Sequence, residues 1–83
     1  MLILETIERL EYVHKLIQLK ATGTPDEFAE KLHLRKRQLY NILDEFRRYG
    51  ADIKYDRMTA TFYYNNDFDI TISIIVKNIT NQE

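Results

Sequence analysis

The stretch TPDEFAEKLHLRKRQLYNILDEFRRY, residues 24–49, constrains this chain more than any other. Thr24 offers a helix cap, Pro25 suits the first turn after it, and Glu27 stands three residues beyond the cap. The cap oxygen and the later carboxylate take up each other's backbone N–H groups, which fixes a helix start. Phe28, Ala29 and Leu32 give that helix an apolar face, which runs out at His33. A second periodic segment opens with Arg35-Lys36-Arg37. Leu39, Leu43 and Phe46, flanked by Ile42 and Tyr49, mark one side of it. Lys36, Arg37, Tyr40, Asn41, Asp44 and Arg48 mark the other. A short helix, a tight turn and a second helix with a basic, hydrogen-bonding outer face make a candidate helix-turn-helix.

The flanking segments fit around this unit. From Leu2 to about Lys20, Ile3, Ile7, Leu10, Val13 and Ile17 recur at helical spacing, with Tyr12, Leu16 and Leu19 as an adjacent stripe. The wide apolar face predicts a first helix over 2–20, packed against the motif and a sheet or used in part as a dimer contact. After the motif, Arg47 and Arg48 complement the helix dipole and Gly50 suits the left-handed position past the helix end. Ile53-Lys54-Tyr55 and Ala60 to Tyr64 read as two strands around the turn 56–59, a hairpin over 52–64. Ile53, Tyr55, Phe62 and Tyr64 are expected to face inward, Lys54, Thr61 and Tyr63 outward. Residues 68–77 alternate apolar and polar, which predicts a further half-buried strand. That strand either extends the sheet or pairs with a second copy. The fold class is therefore α+β, one domain over 1–77 with a polar tail at 78–83.

Composition excludes several functions. The chain of 83 residues has no cysteine, hence no disulfide, thiol catalysis or cysteine metal site. His14 and His33 have no carboxylate or histidine neighbours at metal spacing and read as structural. Thr22-Gly23-Thr24 has no following lysine and is no phosphate loop, and Ser73 has no base nearby in sequence. Neither an enzyme nor a cofactor is expected. Early acids in the first ten residues argue against a signal peptide, and no apolar run approaches a membrane span, so a cytoplasmic protein is expected. The formal net charge is only −1, but residues 35–57 hold seven of the twelve Lys and Arg against four acids. A local basic face on a near-neutral body suits a module that reads sequence.

The order helix, helix-turn-helix, hairpin resembles the winged helix-turn-helix domains of the DeoR-like type called HTH domain-11, especially the short stand-alone ones common in Bacteroidetes. The resemblance is carried by Glu8-Arg9-Leu10-Glu11-Tyr12, Thr22-Gly23-Thr24-Pro25, Phe28-Ala29, Leu32, Leu39-Tyr40, Gly50-Ala51, Ile53-Lys54-Tyr55 and Tyr63-Tyr64, over roughly residues 3–64. It implies a small transcriptional regulator that binds double-stranded DNA. The second motif helix would lie in the major groove, with the hairpin as a wing on the backbone or minor groove. Arg35, Lys36, Arg37, Gln38, Tyr40 and Asn41 would then face base edges, where arginine suits guanine and amides suit adenine. Thr24, Arg47, Arg48, Lys54 and Arg57 would meet phosphates. A homodimer through the first helix, the C-terminal strand or both is expected.

The chain departs from that family pattern at three places. Arg35 stands where a capping serine is usual, His33 where the turn usually has glycine, and Asp44 on the outer face would repel phosphate. The alternative is a winged helix used only for protein interaction or dimerisation. What separates the two is whether Arg35 to Arg37 are exposed on one positive surface or paired with acids such as Asp44 and Glu45.

Overall fold

Residues 3–70 are described by the structure, a computed structural model. Three helices, α1 (Ile3–Gln18), α2 (Pro25–Lys31) and α3 (Lys36–Arg48), precede two strands, β1 (Ile53–Asp56) and β2 (Thr61–Tyr64). The strands form an antiparallel hairpin in the register Ile53↔Tyr64, Lys54↔Tyr63, Tyr55↔Phe62 and Asp56↔Thr61. The order and class match the α+β expectation. In the described part of the expected final strand, residues 68–70 take no strand; its remainder lies outside the described residues. No helix among the described residues is long and apolar enough to cross a membrane.

Helix periodicity becomes one core. Val13, Leu16 and Ile17 of α1 meet Phe28, Ala29 and Leu32 around α2, Leu39, Leu43 and Phe46 of α3, and Ala51, Ile53 and Phe62 from the hairpin. One expectation for α1 needs correcting, the end of the helix, while the second stripe divides between core and surface. Only Leu16 of the second stripe is buried, whereas Tyr12 is 44% and Leu19 63% exposed. The helix stops at Gln18, and Lys20 turns left-handed at φ 55°, which carries Leu19 out of the last turn. Tyr12 lies on a shallow depression shared with Leu32 and His33 at the end of α2.

All three helices end in the same way. The residue past the cap is left-handed at Lys20, His33 (φ 57°) and Gly50 (φ 109°). The next amide then reaches back: Ala21 N–H to Leu16 O at 2.9 Å, Leu34 N–H to Ala29 O at 2.9 Å, Ala51 N–H to Phe46 O at 3.1 Å. Each is the Schellman arrangement, which satisfies helix-end carbonyls and turns the chain sharply. At α2 it places Leu34 against the core and lets α3 begin three residues after the left-handed turn.

Of the residues of the hairpin expected outward, Thr61 is in fact buried. Its hydroxyl accepts the Thr22 N–H at 3.2 Å, while the Thr22 hydroxyl accepts the Phe62 N–H at 2.8 Å. Two threonines thus join residues 21–23 to the open edge of β2. Lys31, in the last turn of α2, donates to the carbonyls of Ala21 and Thr22 at 2.9 and 3.3 Å and holds that segment from the other side.

Past the hairpin, the Asn66 carboxamide accepts the Asp52 N–H and donates to Gly50 O, closing the sheet end onto the end of α3. Phe68 then packs its ring on His14, Phe46 and Tyr64. His14 is buried, with Nδ1 2.6 Å from the Tyr64 hydroxyl and Nε2 3.0 Å from Asp69 Oδ1. With its proton on Nε2 the ring serves both partners, Nε2–H donating to Asp69 and Nδ1 accepting the Tyr64 O–H. Burial, with Asp69 adding to it, pushes the Tyr64 phenol up, so it stays a donor. His14 is therefore a structural tie from α1 to the segment after β2.

Candidate nucleic-acid interface

The start of α3 sets the geometry of the site. Arg35 is its N-cap, with extended backbone at φ −80° and ψ 154°. The Gln38 side-chain oxygen accepts the Arg35 N–H at 3.0 Å, half of a capping box. The reciprocal half is missing for a chemical reason: a guanidinium has donors only and cannot accept a helix N–H. Arg35 is exposed and its side chain makes no capping bond. By contrast Thr24 makes the complete box, accepting Glu27 N–H at 3.2 Å and giving its own N–H to Glu27 Oε1 at 2.8 Å. Its hydroxyl is thereby committed to the helix it caps.

The six residues expected at base edges are all exposed along α3 and its cap. Among the described residues, Arg35 and Arg37 have no ion pair and the Asn41 side chain no hydrogen bond. Lys36 is different. Its ammonium lies 3.1 Å from Asp26 Oδ1 in the first turn of α2, across the motif. Gln38 keeps its amide N–H groups free while its oxygen caps Arg35. Tyr40 is 41% exposed and stands edge-on to Phe62, ring centres 6.5 Å apart at 75°.

That ring contact joins the helix to the hairpin. Phe62 also packs on Tyr55 at 4.9 Å and on Phe28 at 5.7 Å. Phe62 and Tyr55 face each other one step from the last strand pair, Asp56↔Thr61, so Tyr40, in the second turn of α3, meets the hairpin near that pair. At that tip Arg57 is exposed and has no ion pair among the described residues. Met58, 95% exposed, is its neighbour. Asp56 Oδ1 accepts the Met58 N–H at 2.9 Å, and this bond, with Thr59 adding, holds the Asp56 carboxyl below its usual value. The tip is a tied turn.

The remaining residues expected at phosphates are occupied. Arg47 pairs with Asp44 at 3.1 Å and donates to Ile53 O at 2.9 Å, so it fastens α3 to β1. Arg48 pairs with Glu45, and Lys54 with Asp52 at 3.4 Å. Asn65 bonds the Asp52 carboxylate and, with Lys54, keeps it below its usual value. Sequence reasoning missed the partners Asp26 and Asp52; the pairs Asp44–Arg47 and Glu45–Arg48 were available from their three-residue helical spacing.

Among the described residues, depressions lie over Lys20, Asp56, Thr59 and Tyr63 and over Glu8, Arg9, Tyr12 and His33. Among the described residues no group of three or more histidines and carboxylates is placed to hold a metal ion. The arrangement that remains is, among the described residues, three arginines without an ion pair, a tyrosine edge-on to Phe62 and two amides, on one helix start and one hairpin tip. No family model, curated protein or solved structure matches the chain.

Proposed function

We propose that the chain is a winged helix-turn-helix that binds double-stranded DNA as a small transcriptional regulator. In this reading α3 enters the major groove and the hairpin lies on the backbone. The observation that carries it is that Arg35 and Arg37 are exposed and without an ion pair among the described residues, at the start of the helix whose Tyr40 ring meets Phe62 of the hairpin. Arg37 and Asn41 are one helical turn apart and suit guanine and adenine edges. Arg35 and Arg57 flank them as phosphate contacts, and Tyr40 fixes the spacing through Phe62.

The test is fluorescence-anisotropy binding to genomic duplex fragments across a salt series. Each phosphate contact adds about −0.9 to the log–log salt slope. An Arg35→Ala, Arg37→Ala variant that keeps its circular dichroism is expected to lose affinity and about 0.9 of that slope, the slope through the phosphate contact of Arg35 and the remaining affinity through the base-edge bonds of Arg37. Arg48→Ala, which removes a paired cation, is expected to change the slope far less. A wild type that binds no fragment at low salt overturns the reading and favours the protein-interaction alternative.

The exposed Tyr12 on α1 and Leu19 just past its end support a homodimer, with two α3 helices meeting half-sites about one DNA turn apart. Sedimentation of the wild type beside a Tyr12→Glu, Leu19→Glu variant tests this. A monomeric wild type at assay concentration overturns it.

A further inference from the structure

Seven Lys and Arg lie between residues 35 and 57, and four of them sit against carboxylates. Lys36 meets Asp26, Arg47 meets Asp44, Arg48 meets Glu45 and Lys54 meets Asp52. These pairs are largely exposed, and exposed pairs contribute little to stability. Their electrostatic consequence is larger. A cation gains phosphate affinity by displacing counterions from DNA, and this gain is blind to sequence. A cation already neutralised by its own carboxylate has less to gain, and it carries that carboxylate toward the phosphates.

We infer that Asp26, Glu45 and Asp52 raise the specificity of DNA binding by neutralising Lys36, Arg48 and Lys54 and so weakening their sequence-independent attraction to phosphate. The inference rests on the DNA reading above. With those cations neutralised, Arg35 and Arg57 are the unpaired cations among the described residues 35–57 left for the backbone, Arg37 being taken up at base edges. Binding then depends on the base-edge bonds of Arg37, Gln38 and Asn41. Asp44 plays the same electrostatic part but is left aside, because its partner Arg47 also holds the Ile53 carbonyl. The acids that look like defects in a DNA-binding face are what makes the face selective.

The test is a gain of function, which a merely structural role would not give. The Asp26→Asn, Glu45→Gln, Asp52→Asn variant is compared with the wild type by anisotropy. Two duplexes are used: one selected by the wild type from a random pool and its scrambled counterpart. On the scrambled duplex the salt slope is expected to steepen by about 0.9 per freed cation, and affinity at low salt to rise roughly tenfold or more. The selected duplex gains less, so the ratio of the two affinities falls. Glu11→Gln, on the exposed side of α1, controls for net charge against Asp26→Asn alone. An equal gain from Glu11→Gln overturns the inference. So does an unchanged slope in the triple variant while the Arg35→Ala, Arg37→Ala variant loses binding, a result that leaves the DNA reading standing. If neither the wild type nor the triple variant binds either duplex at low salt, the DNA reading fails and the inference with it.

Discussion

His33 carries a cost that a glycine would not. Its φ of 57° is left-handed, a region that costs a side chain about 1–2 kcal/mol because Cβ crowds the backbone. His33→Gly removes that strain but gives the unfolded chain more freedom, worth about 0.4–1 kcal/mol in the other direction. The strain is the larger amount, so the variant is expected to be more stable by about 0.5–1 kcal/mol. The hydrogen bond Leu34 N–H to Ala29 O, which defines the turn, is unaffected by the exchange. Urea unfolding followed by circular dichroism measures it. A variant less stable than the wild type would show that the exposed imidazole makes up the difference through its contacts beside Tyr12 and Leu32. At this scale the sequence was a good guide: Gly50, Thr24 and Glu27 adopt the local geometry their chemistry favours, and each needs neighbours only a few positions away.

Between elements the guide fails in a regular way. Thr61 was expected outward because a strand's own alternation puts polar residues in water. It is buried because Thr22, 39 positions earlier, brings a hydroxyl and an amide to it. Likewise His14 meets Tyr64 and Asp69 across 50 and 55 positions, and Lys36 meets Asp26 across the turn of the motif. Nothing local announces such pairs. The exposure of Arg35 and Arg37 was legible from helix periodicity, but which cations are neutralised was not, since that depends on where α2 and the hairpin lie. The hairpin gives a prediction at this scale. Asp52 and Asp56 are both held below the ordinary 3.8, by Asn65 and by the Met58 amide respectively. A carboxyl depressed in the folded state stabilises above its unfolded value and loses that contribution as pH falls through the folded one. The urea midpoint is therefore expected to fall as pH drops below 3.8, and less steeply in Asp52→Asn, Asp56→Asn. Parallel curves for the two proteins would show that other carboxylates set the acid limit.

At the scale of the whole molecule, one small core has to hold both halves of the proposed interface. Phe28 is fully buried and touches Phe62, the ring on which Tyr40 of α3 and Tyr55 of the hairpin also rest. Phe28→Ala removes that support and is expected to cost about 3–5 kcal/mol, a large share of the roughly 5–15 kcal/mol that domains possess. DNA acts in the opposite direction. A duplex that binds only the folded chain adds about 2.7 kcal/mol at 100 times its dissociation constant. For a domain of this size each kcal/mol raises the unfolding midpoint by about 4–8 °C. The wild type with such a duplex is thus expected to melt at least about 10 °C higher. In Phe28→Ala the same excess over that variant's own dissociation constant gives a similar shift, but the constant itself is expected to be weaker. The reason is geometric: without the Phe28 ring, Phe62 can settle, and the tip that carries Arg57 moves relative to Arg35 and Arg37. Differential scanning calorimetry with anisotropy on both proteins separates the two effects. An affinity in Phe28→Ala equal to that of the wild type would mean that α3 binds without the hairpin, and Arg57 would then have no part in the interface.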